Sequence, residues 1–277
     1  HGTRGKFGLS EVRFMQIPAH ARESQPADEA ADVAVSDTVL SWRAGREAVT
    51  HDVYLGTDPD ALELIESTSA TTLDPGALGL GATYYWKIDE VNEADDISVW
   101  EGNLWSFTTQ PYILVDDFES YTDDEGNRIY EIWADGWVND TGATVGYFEA
   151  PFAEQTIVNS GTQSMPLFYD NSSVATSEAD LELLQDWTTN GIKTLSLMFY
   201  GAADNSGQLY IRINNTKVAY DGAADDIKAS QWQAWNIDLT ALSGLQNVTS
   251  LTIGVEGASA AGTLYIDNIR LYPLPGE

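Results

Sequence analysis

Runs of alternating apolar and polar side chains, cut by Gly, Pro, Asn and Asp, fill most of the chain, and no segment sustains a 3.6-residue period. Alternation at period 2 predicts strands with one buried face, and the residues between the runs are turn formers. From residue 25 to 110 strands are predicted at Val39–Trp42, His51–Gly56, Thr83–Asp89 and Leu104–Thr109, separated by turns at Asp58-Pro59-Asp60, Asp74-Pro75-Gly76 and Gly79-Leu80-Gly81. Short strands at this spacing predict a β-sandwich. From 111 to 277, ten strands are predicted: Ile113–Phe118, Gln155–Val158, Ser164–Tyr169, Ser177–Leu184, Thr194–Tyr200, Leu209–Ile213, Lys217–Tyr220, Gln233–Asp238, Ser250–Val255 and Thr263–Leu271. That series reads as a second sandwich, a β-jelly roll, with one helical turn at Leu239–Leu245. The predicted fold class is all-β. Residues 1–24 hold one strand, Gly8–Ile17, and a turn at Arg22-Glu23-Ser24. One strand cannot bury itself, so this leader packs on the next domain or is the remnant of an upstream one.

Two stretches of the second module belong together. Leu114-Val115-Asp116-Asp117-Phe118-Glu119 opens it and Leu264-Tyr265-Ile266-Asp267-Asn268-Ile269 closes it. Both set carboxylates against apolar alternation, where an unpaired charge is costly unless a cation or donor lies beside it. The expectation is that they are the first and last strands, lying side by side and sharing a structural Ca²⁺. Such an ion takes 6–8 oxygen ligands, mixing carboxylates with backbone carbonyls, which suits two strands and a loop.

Composition narrows the partners. Of 277 residues, 13 are basic and 43 acidic, a net charge of −30, which repels nucleic acid, anionic lipid and sulfated polymers over most of the surface. Neutral polymers and divalent cations are the compatible partners. No cysteine is present, so there is no disulfide framework and no thiolate chemistry, and no run approaches the ~20 apolar residues of a membrane span. As a fragment the chain is expected to be monomeric, to insert into no membrane and to bind no nucleic acid.

The first module, with an early-strand Trp42, the Tyr84-Tyr85-Trp86 strand and the closing Trp105-Ser106-Phe107-Thr108-Thr109, resembles a fibronectin type III-like domain. The resemblance implies a spacer whose aromatic residues are core. In the second module, Phe118-Glu119, Ser160-Gly161-Thr162-Gln163-Ser164-Met165 and Tyr265-Ile266-Asp267-Asn268-Ile269 resemble the carbohydrate-binding-module jelly rolls, and the run from Asp116 to Asn171 resembles a module appended to secreted proteins of planctomycete-like bacteria. Gly8–Ile17 is similar to the last strand of a discoidin-like domain. The jelly-roll resemblance implies Glu119 and Asp267 as Ca²⁺ ligands, completed by backbone carbonyls around Ser160 to Gln163. Asp117, Asp116 or Asn268 is able to replace one of them.

A second constellation is aromatic. Tyr130-Glu131-Ile132-Trp133-Ala134-Asp135-Gly136-Trp137 is followed by Tyr147-Phe148-Glu149 in a weakly regular insertion. Loops carry such rings when the rings pack down or meet a ligand. Pyranose rings present apolar C–H faces to Trp and Tyr, while carboxylates, amides and Arg take up hydroxyls. Trp133, Trp137 and Tyr147 are candidates for the platform, with Asp135, Tyr169, Asp170, Asn171, Glu178 and Arg212 for polar contacts. The competing reading makes Trp133, between Ile132 and Ala134, part of the core. Trp235, Ile237 and Leu239 face one way as core, Trp232 sits at its strand's entry, and Trp187 reads either way.

No nucleophile elbow, metalloprotease helix or phosphate loop is present, and acidic pairs arise by chance among 43 acidic residues. The sequence is therefore read as a non-catalytic, calcium-stabilised polysaccharide- or oligosaccharide-binding module within a larger secreted or cell-surface bacterial protein. The alternatives are a cell-surface adhesion or assembly module and a glycan-degrading enzyme.

Overall fold

In the strand Thr194–Tyr200, Leu195, Leu197 and Phe199 are fully buried while Ser196, Met198 and Tyr200 keep partial exposure. The same period-2 division recurs through the chain and builds every layer of the fold. The computed structural model describes residues 18–273, so the strand expected at Gly8–Ile17 lies outside the described residues. Two compact units are present, one ending at Gln110 and the other beginning at Pro111.

The first unit carries β1 (Arg22–Gln25), β2 (Ala30–Val33), β3 (Leu40–Arg43), β4 (Thr50–Gly56), β5 (Glu63–Thr68), β6 (Thr72–Leu73), β7 (Thr83–Val91), β8 (Val99–Trp100) and β9 (Trp105–Thr109). One sheet runs β1-β3-β6 and the other β2-β9-β7-β4-β5, with β8 also paired to β7. Every pairing is antiparallel except β2 with β9. Trp42, Trp86, Trp105 and Phe107 fill the core between the sheets. The Arg22–Ser24 segment, expected as a turn of the leader, is instead strand β1, paired to β3, with Ser24 buried. Its one left-handed residue, Glu23, accounts for the turn-like pattern without ending the strand.

The second unit carries β10 (Ile113–Asp116), α1 (Ile129–Ile132), β11 (Trp133–Ala134), α2 (Gly136–Asn139), β12 (Ala143–Val145), β13 (Met165–Asp170), β14 (Thr176–Gln185), β15 (Thr194–Tyr200), β16 (Gln208–Ile213), β17 (Thr216–Ala219), β18 (Trp232–Asp238), β19 (Val248–Glu256) and β20 (Ala261–Tyr272). Two antiparallel sheets, β12-β13-β20-β15-β18 and β11-β14-β19-β16-β17, form the sandwich. Strand β20 is long enough to take two partners along one edge: β13 pairs with Ala261–Ile266 and β10 with Ile269–Leu271. The first and last strands of this unit thus lie side by side, as the sequence predicted.

Two expectations change here. Gln155–Val158 is not a strand, because the Glu154 carboxylate accepts the backbone N–H of Thr156 and of Ile157 and winds the segment into a turn, leaving one bridge between Glu154 and Ser164. The insertion between β10 and β13 is more regular than its pattern suggested, with two four-residue helices and the short strands β11 and β12. At Leu239–Leu245 there is a turn closed from Leu242 N–H to the Leu239 carbonyl, followed by a 3₁₀ turn at Leu245–Asn247.

Candidate functional site

The insertion is fastened from its inner side. Trp133 has no exposed surface, and its indole N–H donates to Asp116 at 2.8 Å. The same carboxylate accepts the Tyr121 hydroxyl at 2.5 Å and the Phe118 N–H at 2.8 Å. Burial raises the Asp116 pKa, against these three donors. Trp133 is therefore core, not platform, because its only polar atom is already spent on a buried acceptor and its ring packs on Phe118 at 5.9 Å. Asp116 is likewise committed and offers no free oxygen as a replacement metal ligand.

Two residues further on, Asp135 caps α2. One of its oxygens accepts Trp137 N–H at 3.1 Å and the other accepts Val145 N–H at 2.9 Å, tying the helix to β12. Gly136 is required beside it, since a β-carbon there would stand 2.2 Å from the Thr141 carbonyl oxygen. This clamp leaves Trp137 81% exposed. Past β12, Tyr147 donates its hydroxyl to Glu154, and Phe148 is 82% exposed. Between them opens a cleft of about 360 Å³ lined by Tyr130, Trp137, Tyr147, Phe148 and Phe152, with Asp135 at its wall. Rings this exposed bury little of their own surface and so add little to packing.

Of the predicted contacts, Trp137 and Tyr147 line the cleft, and Asp135 lines it while serving as clamp. Tyr169, Asn171 and Arg212 do not reach it. Tyr169 is buried, its hydroxyl donating to the Ser206 carbonyl at 3.0 Å, and burial pushes its pKa up to about 12. Asn171 is buried between the Val255 carbonyl and the Ser177 hydroxyl. Asp170 is exposed at the end of β13, where it accepts Ser172 N–H at 2.8 Å, the bond that lowers its pKa. Arg212 and Glu178 lie on β16 and β14 of the other sheet and bond each other, with the Tyr210 hydroxyl donating to the same carboxylate. Tyr130 and Phe148 belong to the aromatic stretch singled out from the sequence but are not among its platform candidates, and Phe152 lies outside that stretch.

The expected metal ligands come together around the gap in β20 between its two partners. Asp267 is fully buried, with one oxygen accepting Asn159 N–H at 2.8 Å and Ser160 N–H at 3.2 Å. Its other oxygen is buried with no hydrogen-bond partner. Glu119 accepts Thr162 N–H at 2.9 Å, Gln163 N–H at 3.0 Å and the Thr162 hydroxyl at 2.7 Å. Gly161 permits that approach with φ of +76°, and a β-carbon there would lie 2.4 Å from the carboxylate. Burial raises the Glu119 pKa, but the three donors outweigh it and the net shift is downward. The Asp267 pKa is raised, by burial first and also by the Glu119 charge.

The loop from Asn159 to Gln163 therefore turns N–H groups toward both carboxylates, where carbonyls had been expected. The Gln163 side chain donates to the Phe118 and Tyr121 carbonyls, the Ser160 hydroxyl donates to Asn268, and Asp117 accepts Glu119 N–H at 3.2 Å. Among the described residues no three Asp, Glu or His side chains converge on one point, and neither carboxylate has a Lys or Arg partner. The orphaned Asp267 oxygen beside a second carboxylate is the feature that fits a cation.

No family model and no curated protein matches the chain. Solved structures do. A carbohydrate-binding module from a study of promiscuous specificity in the β-sandwich superfamily is 14% identical, covering 92% of this chain and 97% of its own, with a TM-score of 0.35. The family 11 carbohydrate-binding module from Clostridium thermocellum, in complex with a β-1,3-1,4-mixed-linked tetrasaccharide, is 13% identical over 60% of this chain and 98% of its own, with a TM-score of 0.38. An exo-β-agarase is 15% identical over 59% of this chain but only 26% of its own length, with a TM-score of 0.43. Likenesses this distant do not say what this chain binds.

Proposed function

We propose that the second unit is a non-catalytic carbohydrate-binding module that holds a neutral polysaccharide or oligosaccharide in the cleft between Trp137, Tyr147 and Phe148. The observation that carries this reading is the pair of rings, Trp137 and Phe148, left 81% and 82% exposed at the mouth of one cleft. Stacking on sugar C–H faces is the chemistry such rings offer, and the net charge of −30 disfavours anionic polymers. The unit acts by keeping a neighbour near its polymer, which raises effective concentration without making or breaking bonds.

In the same reading the first unit is a fibronectin type III-like spacer and the protein works outside the cell or on its surface. A structural Ca²⁺ would be held by Asp267 and Glu119, where it would neutralise two adjacent carboxylates and lock the gap in β20.

The test is a pull-down on insoluble polysaccharides with a glycan array, with Ca²⁺ and with EDTA, using the full chain and Trp137→Ala/Phe148→Ala. Retention of the unaltered chain on a neutral glycan, lost in the double variant and without release of reducing ends, is the expected result. Equal retention of both removes the cleft from the account. A protein ligand in the absence of any glycan would put adhesion in its place, and release of reducing ends would replace it with an enzyme.

A further inference from the structure

The cleft is not the end of the aromatic surface. On the outer face of the sheet β12-β13-β20-β15-β18, two successive register pairs set Tyr265 opposite Tyr200 and Tyr200 opposite Trp232. The Tyr265 and Tyr200 rings are 5.9 Å apart and the Tyr200 and Trp232 rings 5.7 Å. All three rings are partly exposed, while their strand neighbours Ile266 and Phe199 are fully buried on the opposite face.

Tyr147 joins this row to the cleft. It lines the cleft, its ring lies 5.7 Å from Phe168 on β13, and its hydroxyl interacts with that of Tyr265 as well as with Glu154.

We infer that cleft and row form one binding track with Tyr147 as its joint, and that the ligand is an extended neutral glycan chain lying across the strands. This rests on the carbohydrate reading of the cleft. Neighbouring strands lie about 4.8 Å apart, close to the repeat of an extended pyranose chain, so a ring on each successive strand meets successive sugars. The two intervals from β20 to β18 span about 10 Å, which with the cleft accommodates about three to four sugar units. The net charge of −30 disfavours a uronate or a sulfated chain, which leaves a neutral one.

The test is calorimetric titration of the full chain with β-1,4-gluco-, β-1,4-manno- and β-1,3-gluco-oligosaccharides of two and of six units. The track predicts that the six-unit chain of at least one series binds about tenfold or more tighter than its two-unit counterpart. Trp232→Ala, at the far end of the row, is expected to remove that gain. Equal affinity for both lengths, or a six-unit affinity indifferent to Trp232→Ala, overturns the track while leaving the cleft reading intact. No binding of any series at either length overturns both. The length comparison on the unaltered chain stands even if the variant fails to fold.

Discussion

Trp133 and Trp137 lie four residues apart in one insertion, and they do opposite things. Trp133 belongs to an inner cluster with Phe118 and Tyr121, in which the indole N–H, the Tyr121 hydroxyl and the Phe118 N–H all end on Asp116. Trp137 belongs to an outer cluster with Tyr147 and Phe148 that opens on solvent. Both clusters are aromatic and acidic, so composition does not separate them. What separates them is polar accounting: the inner rings surround a carboxylate that is buried and fully engaged, whereas the outer rings surround a void. The inner half holds the insertion to the sandwich, and the outer half presents it.

Removing an inner ring is expected to have the largest effect. Trp133→Ala deletes a fully buried indole and removes one of the two donors to an Asp116 oxygen, and is expected to cost about 3–5 kcal/mol in denaturant unfolding. A loss below about 1 kcal/mol would mean that the inner cluster fastens nothing. Next comes the ion beside that cluster. With Ca²⁺ at a hundredfold excess over its dissociation constant, the full chain is expected to gain about 2.7 kcal/mol, seen as a rise in Tm, and Asp267→Asn is expected to abolish the gain. An unchanged Tm on adding Ca²⁺ would leave these carboxylates to the N–H groups of Asn159 to Gln163 and the Thr162 hydroxyl.

On the outer side, Trp137→Ala is expected to leave stability within about 0.5 kcal/mol and to weaken glycan binding about tenfold, or ~1.4 kcal/mol. If it destabilises the fold as Trp133→Ala does, the division between the halves disappears. Asp135→Ala, which unties α2 from β12, is expected to cost about 1 kcal/mol in thermal unfolding and to weaken binding through disorder at Trp137.

The smallest effect is a pH dependence. Burial raises the pKa of Glu154, but the Tyr147 hydroxyl and the N–H groups of Ile157 and Thr156 outweigh it, so the folded value lies below the ordinary 4.5. A lowered carboxylate contributes its stability above the unfolded value and loses it as pH falls through the folded one. Binding is therefore expected to be flat from pH 8 to pH 5 and to decline a few-fold only below 4.5, as Tyr147 loses its acceptor. A decline centred near neutrality in the titration would point to another group.

Much of this was legible from alternation. Thr194–Tyr200 and Gln233–Asp238 read as strands because period-2 patterning is a local property, independent of partners. The pairing of the module's first and last strands was legible because both set carboxylates against apolar runs. The donors facing Glu119 and Asp267 were not, since a loop's sequence does not say whether its N–H groups or its carbonyls point inward. Nor were Tyr169, Asn171 and Arg212 separable from true surface contacts, because each is polar or amphipathic and its burial depends on neighbours distant in sequence.

The amino-acid order by itself determined an all-β chain, most of the long strands of the second sandwich, and the concentration of rings in the segment from Tyr130 to Phe148. Tertiary structure alone decided that Trp133 faces in and Trp137 out, because that choice follows from the reach of Asp116 and the capping of α2 by Asp135. It also decided that Tyr265, Tyr200 and Trp232 stand in line, because register between strands tens of residues apart is settled only when both sheets bury their inner faces at once.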